Sequence, residues 1–345
     1  MLQLTKVTLK DIADRANVSI SSVSRALNKA HPDAPVNDQT REHIIRVAKE
    51  LGYRKINSSQ KSNENISEIK VGLILNNVKA KYQDAYFSEI IFGIESELLN
   101  NGITLDFTFE VKEIFNSNLF ADFPKENLGV ICIGPLKSQF LNELAKQVPL
   151  VFSVSGLPQK KLDCVTVDFR DAAREAVQYL VDLGHRKIAF IGGGSPVGAS
   201  MEEEERTLGY KDALKANGIS IVPEWFCDGK FSLAKSYEAM AEILRSPERP
   251  TALFAASDMM AHGAYKAIKE AGLRIPEDLS VVSFDDIEMS EFVSPALTTV
   301  RVPKEEMGRT AVKLLLQRMT GKLPLPMSCS LPTELMIRNS SGKNR

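Results

Sequence analysis

The chain is poor in the residues that carry covalent and metal chemistry: its 345 residues hold four cysteines, four histidines and one tryptophan. Cys132, Cys164, Cys227 and Cys329 stand far apart, without a CxxC or other metal-ligand spacing. That excludes a disulfide framework or zinc site of the usual kind and fits free thiols in a reducing cytoplasm. His31, His43, His185 and His262 are too scattered for a metal centre or a nucleophilic triad. His185 follows Leu183-Gly184 at a helix end, where the dipole favours a cation, and reads as structural. No G-x-S-x-G and no G-x-x-x-x-G-K-[ST] occurs, and "IGGGSPVG" departs from G-x-G-x-x-G at Val197. Its glycines then mark a close backbone turn. No enzymatic activity, cofactor or metal is expected.

Long apolar runs are also missing. No stretch of about eighteen apolar residues occurs, so no transmembrane helix is expected. The opening "MLQLTKVTLKDIADRA" carries charges where an export signal needs an apolar stretch. A cytoplasmic protein without membrane attachment is expected. The final "MIRNSSGKNR" has no apolar heptads, so a homodimer is expected rather than a tetramer held by a C-terminal coiled coil.

Charge is present but uneven. Residues 1–61 hold eleven Lys/Arg and six Asp/Glu, a net +5, which leaves −6 on the remainder of a chain whose formal charge is −1. A basic head on a mildly acidic body suggests a nucleic-acid-facing module, although a chance excess on a solvated surface gives the same count. Three short helices fill the head. Thr8 caps the first, with Leu9, Ile12, Ala13 and Ala16 on one face. Asn17 suits a tight turn. Ser19 caps a second helix running to about Asn28, and Asn37 or Asp38 caps a third that stops at Gly52. In the second helix Val23, Ala26 and Leu27 share one side, while Ser21, Ser24, Arg25 and Asn28 share the other. Two helices joined by a short turn, the second with a small polar outer face, fit a helix-turn-helix. In that reading Arg25 grips a guanine with two bonds and Ile20 touches a thymine methyl. An ordinary three-helix bundle with a solvated face remains the competing reading.

The stretch 54–68, "RKINSSQKSNENISE" in its polar part, has little to bury and reads as a linker. From Lys70 onward apolar runs ("KVGLIL", "LGVICIG", "PLVFSVS", "CVTVD", "KIAFIGG", "TALFAAS", "LSVVSFD") alternate with helical stretches at 138–147, 170–183, 206–217, 233–246, 259–272 and 304–320. Such alternation implies α/β architecture: two doubly wound parallel sheets covered on both faces.

Ligands of open α/β sheets bind beyond the carboxyl ends of the strands. The loops there bring Asp84, Tyr86 and Phe87, then Gly194, Ser195 and Arg206, then Ser257 and Asp258, then Asp285 and Asp286. A sugar needs planar charged groups for paired hydroxyls and an aromatic ring for its C–H face. Asp285, Arg206 and Asp258, with Tyr86, Phe87 or Phe231, would supply that set. Each has a plainer role open to it. Asp258 would cap the helix beginning at Met259, Asp286 would hold a strand end, and Tyr86 and Phe87 would be core. Arg206 would pair only with Glu202–Glu205, itself a solvated helix start.

"VTLKDIADRANVSISSVSRALN" and "TREHIIRVAKELGY", followed by "DLGHRKIAFIGG", "ERTLGYKDALKANGI", "PTALFAASDMMAHGAYKAIKEAGLRIPEDLSVVSFDD" and "SPALTTVRVP", resemble the LacI/GalR family of bacterial transcription regulators. The resemblance covers about residues 7–338. It implies a helix-turn-helix domain at 1–53 and a hinge at 54–68. It also implies a core like periplasmic sugar-binding proteins: one subdomain from 69–165 with 302–326, another from 166–301 with 327–340. The implied partners are operator double-stranded DNA, a small sugar effector and a second copy of the chain. Ile20, Ser21 and Arg25 match base-reading positions. Thr8, Ser19, Ser24 and Asn28 resemble backbone-positioning residues, and Asn37 is counted with the DNA-facing set. Arg206, Ser257 and Asp285 match ligand positions, and Phe231 matches a stacking aromatic. Two departures stand out. "NKAHPDAPVNDQTR" is longer than usual between the second and third helices, and the hinge lacks the family's Pro-Asn, Ala and Leu. In the family that hinge forms a minor-groove helix whose leucine pries base steps apart; here Ile56 substitutes or the hinge stays flexible.

Within the family, "AYFSEIIFGIE" is similar to regulators of galactoside use, so galactose or a galactoside is the preferred effector of a repressor of a sugar-utilisation operon. The alternatives are a global regulator of the same family controlled by a protein corepressor or a purine, and a sugar-binding protein without regulatory role.

Overall fold

The computed structural model describes residues 9–27, 37–51, 69–76, 84–114, 127–134, 136–148, 150–155, 161–194 and 200–344. Two compact units share the chain, Met1–Glu64 and Asn65–Arg345.

The first unit has three described helices: α1 (Leu9–Ala16), α2 (Ile20–Leu27) and α3 (Asp38–Glu50). The turn between α1 and α2 works because Asn17 takes a left-handed backbone, φ 51°, which asparagine tolerates better than most side chains. The amide of Val18 then donates back to the Ala13 carbonyl at 3.0 Å, closing the end of α1. Ser19 caps α2 as expected: its Oγ accepts from the Ser22 amide at 3.0 Å. Asn37 caps α3, its Oδ1 accepting from the Gln39 amide at 2.9 Å. Ile12, Ala13, Ala16, Val23, Ala26, Ile44, Val47 and Ala48 form a small core, with Leu9, Val18 and Leu51 at its edge. Thr8, Asn28, Gly52 and the linker at 54–68 lie outside the described residues.

The second unit begins with β1 (Lys70–Leu75), α4 (Ala85–Asn100), β2 (Leu105–Glu110), α5 (Val111–Ile114), β3 (Leu128–Ile133), α6 (Ser138–Gln147), β4 (Leu150–Val154) and β5 (Asp163–Val167). It continues with α7 (Phe169–Asp182), β6 (Ile188–Gly192), α8 (Glu205–Ala216), β7 (Phe226–Asp228), α9 (Leu233–Ile243), β8 (Ala252–Ala255), α10 (Asp258–Glu270), β9 (Ser280–Asp285), α11 (Met289–Phe292) and β10 (Thr298–Arg301). Last come α12 (Lys304–Met319), β11 (Ser328–Leu331) and β12 (Glu334–Met336).

Two six-stranded sheets result, ordered β11-β5-β4-β3-β1-β2 and β12-β10-β9-β8-β6-β7. Strands such as β3 and β6 are buried along their whole length, because helices cover both faces. The pairs are parallel except β10 with β12, where a short returning strand runs antiparallel. The order reverses beside β1 in one sheet and beside β6 in the other, which opens a crevice at each set of carboxyl ends.

The subdomain boundaries differ from expectation. β5 continues to Val167 rather than ending at 165. β11 pairs with β5, Ser328 opposite Cys164, so 328–331 belong to the first sheet and not the second. The reason is a buried staple. Arg318, near the end of α12, makes two bonds to Asp163, at 3.1 Å from Nε and 2.6 Å from Nη2, and Asp163 Oδ1 accepts from the Met327 amide at 2.8 Å. That ties the returning chain to β5. The last crossing therefore falls between Leu331 and Glu334, and the others follow Val167 and Arg301.

Helix α12 lies close on α4 because both contribute glycine at the crossing. A Cβ on Gly93 would stand 2.1 Å from the Glu305 carbonyl, and one on Gly308 2.2 Å from that of Ile90. This approach places Lys304, the first residue of α12, beside Glu89.

Candidate ligand site and candidate DNA-facing helix

Helix α8 begins where it does because Glu204 caps it. The Glu204 carboxylate accepts from the amides of Arg206, at 2.9 Å, and Thr207, at 3.3 Å. The same carboxylate accepts from Arg206 Nε at 2.9 Å. Arg206 Nη1 donates to the Ala256 carbonyl at 2.9 Å and lies 3.8 Å from Asp285 Oδ1. Its guanidinium sits over the rings of Phe231, Phe169 and Phe284, 4.8, 5.3 and 5.5 Å from their centroids. The guanidinium is thus held at both Nε and Nη1.

Asp285 ends β9 with a left-handed backbone, φ 111°. Its Oδ1 is buried and has no hydrogen-bond partner. Burial pushes its pKa well above the usual carboxylate range, against the pull of Arg206. An unpaired buried acceptor is costly and therefore a mark of a site awaiting a donor. Phe231 also has a left-handed backbone, φ 48°, and its ring fills the place a side chain at Gly193 would need.

From the other sheet, Asp84 caps α4, accepting from the Tyr86 amide at 3.0 Å. The Tyr86 hydroxyl bonds Ser155 Oγ, and the Phe87 ring stands edge-on to Tyr86, centroids 5.2 Å apart, against Gly134. Burial raises the Asp84 pKa while the charge of Arg206 lowers it. Burial and the charge of Asp285 both raise that of Tyr86. The two groups of residues therefore share one electrostatic environment.

The structure brings Arg206, Phe231 and Asp285 together, with Asp84 and Tyr86 in electrostatic reach. Asp258 is different. It was expected to meet ligand, but it has no exposed surface. Its carboxylate accepts from Ser283 Oγ, from the Ile287 amide at 2.9 Å, from Ser290 Oγ at 2.7 Å and from Thr299 Oγ1 at 2.6 Å. Every lone pair is engaged in tying β9, β10 and α11 to α10. Ser257 caps α10, accepting from the Met260 amide at 3.3 Å. Asp286 holds the strand end by ion pairs to Arg301 and Arg338, both at 2.7 Å. His185 is structural: Nε2 reaches the Gly342 carbonyl at 3.0 Å and Nδ1 the Thr251 hydroxyl at 2.9 Å.

Sequence reasoning offered Glu202–Glu205 as one group to pair with Arg206 without singling out Glu204, which the structure does; it missed Phe169, placed only by the fold. It missed Lys304 too, which follows Pro303 at a crossover and whose buried Nζ donates to the carbonyls of Asp285 and Asp286 at 2.6 and 3.1 Å.

In the first unit, Ser19 is committed as the α2 cap and Ile20 is 49% exposed at its first turn. Ser21, Ser24 and Arg25 belong to α2, and their side chains lie outside the described residues. Asn37 is exposed.

The family "Bacterial regulatory proteins, lacI family" matches residues 8–55, and "Periplasmic binding protein-like domain" matches residues 177–341. The HTH-type transcriptional repressor MelR of Bacillus subtilis (strain 168) is 34% identical, covering 97% of this chain and 98% of that protein. The solved complex of the transcriptional regulator CelR with cellobiose superposes with a TM-score of 0.69 at 28% identity, covering 97% of this chain and 100% of that one. The lac repressor dimer bound to operator and the anti-inducer ONPF gives 0.70 at 28% identity, covering 98% and 100%. Among the described residues no helix is long and apolar enough to cross a membrane.

Proposed function

The chain belongs to the LacI family of bacterial regulatory proteins, and as a ligand-regulated transcriptional repressor of that family we propose that it governs a sugar-utilisation operon, its effector being galactose or a galactoside. One observation carries the sugar reading: the unpartnered Asp285 Oδ1, 3.8 Å from Arg206 Nη1, with the Phe231 ring beside the guanidinium. A pair of adjacent hydroxyls fits this arrangement, one donating to Asp285 and one accepting from Arg206, while the C–H face of the ring lies on Phe231. The cellobiose in the solved CelR complex supports the sugar class. The preference for galactose rests on "AYFSEIIFGIE", which forms the first part of α4.

The operator reading rests on α2. Its cap and buried face fit the helix that enters the major groove of a helix-turn-helix, and the lac repressor dimer bound to operator supports a dimer reading a pseudo-palindrome. Effector binding acts through the three crossings that follow Val167, Arg301 and Leu331: closing or twisting one subdomain against the other changes how two heads fit their half-sites. The test is calorimetry with galactose, lactose and an α-galactoside, followed by footprinting on the operon's promoter with and without the sugar that binds. Binding of one of these, with altered protection, supports the reading. Failure of all three, while another metabolite binds, overturns the galactoside assignment.

A further inference from the structure

Arg206 and Lys304 are the cations whose charge acts on Asp285, and each is already engaged by acidic or carbonyl partners. Lys304 Nζ is buried, donating to two carbonyls and facing Glu89 Oε2 at 3.2 Å. Arg206 is matched by Glu204 at 2.9 Å, with Asp285 at 3.8 Å, and Asp84 acts on it through space. One guanidinium thus stands among three acidic side chains, and Glu204 is the one that bonds it directly. The site also lacks a donor where it needs one: Asp285 Oδ1 has no partner. A sugar hydroxyl supplies that hydrogen. A phosphate dianion or a carboxylate supplies only acceptors and adds charge of the same sign in a buried place.

We propose that this site selects an uncharged sugar over its anionic counterparts, and that Glu204 is the specificity-determining residue, because it spends the charge of Arg206 before the ligand arrives. The proposal rests on the sugar reading above and deepens it. Glu204 is suited to the role because it is fixed twice, as cap of α8 and as partner of Nε. Its orientation is therefore independent of the ligand. Arg206 remains a hydrogen-bond donor and loses its value as a bare positive charge.

The experiment is calorimetry on the full chain with galactose, lactose and melibiose, each compared with its phosphate ester at C6 of the galactose ring. The same titrations are made with Glu204→Gln, which keeps an acceptor for the amides at the start of α8. In the native protein the neutral sugar that binds should do so at least about 100-fold more tightly than its phosphate. In Glu204→Gln the ratio should narrow by about tenfold or more, with cooperative unfolding retained. A phosphate ester that binds the native protein as tightly as its parent sugar overturns the proposal and leaves the sugar reading standing. So does an unchanged ratio in Glu204→Gln. Failure of every compound to bind overturns the galactoside reading and this one with it.

Discussion

Lys304 Nζ lies 3.2 Å from Glu89 Oε2 while donating to the carbonyls of Asp285 and Asp286, so one buried ammonium joins α4 of the first sheet to the end of β9 in the second. The close α4–α12 crossing at Gly93 and Gly308 makes this reach possible. Lys304→Met keeps the length of the stem but strands two buried carbonyls. The expected loss is about 3 kcal/mol of unfolding free energy, the scale for removing the partner of buried polar groups. A lowered midpoint in guanidinium unfolding checks it; an unchanged midpoint would show that water takes over both carbonyls.

On the proposed site, Asp285 makes effector binding depend on pH. In the unfolded chain this carboxyl ionises near 3.8, whereas in the folded chain burial holds its proton to higher pH. Between those values the folded state binds more protons, so the contribution of this group to stability falls as pH rises through the window. A hydroxyl donating to Oδ1 favours the carboxylate and expels the proton. Effector affinity should therefore weaken as pH drops through the same window. Calorimetry in two buffers of different ionisation enthalpy reads the released proton, and Asp285→Asn should abolish the release.

Asp258 offers a sharper contrast with expectation. Asp258→Ala leaves three hydroxyls and the Ile287 amide without their acceptor in a fully buried place. It should cost roughly 3–5 kcal/mol of stability. Urea unfolding measures this directly. A variant of native stability with lost effector binding would restore Asp258 to the ligand set.

Phe231 combines ring contact with a strained backbone. Phe231→Gly relieves the left-handed φ of 48° and removes the ring beside Arg206. Effector affinity should fall about tenfold, the scale of one desolvated cation–π and stacking contact, while the melting temperature changes little. Equal affinity for variant and native protein would place the sugar elsewhere.

Arg25, on α2, is the best candidate for direct base reading. Arg25→Ala should cost about 1–3 kcal/mol of discrimination at a single base pair of the operator. Binding measured across a set of single-base operator variants reads this as a relaxed preference at one position. Uniform weakening over all variants would mean a phosphate contact instead.

The helices of the head and most strands of the core were legible because their pattern is local. Ser19 before an amphipathic run, Asn17 at a turn and unbroken apolar stretches such as "LGVICIG" carry their own signals. The short strands β2, β7, β11 and β12 were not legible, since three to six residues of mixed polarity acquire strand geometry only from a neighbour to pair with. The same division holds in the site. The sequence by itself determined the family, the head, the alternation of strand and helix, and Arg206 and Asp285 as groups at strand and helix ends. Only the tertiary structure decided that β11 returns to the first sheet, that Asp258 is consumed by four internal donors, and that Glu204 and Lys304 stand around Arg206 and Asp285. The physical reason is range. Helix caps and apolar periodicity are settled within a few residues of chain. Whether a carboxylate faces a ligand or is saturated by Ser283, Ser290 and Thr299 depends on groups that folding brings from far along the chain.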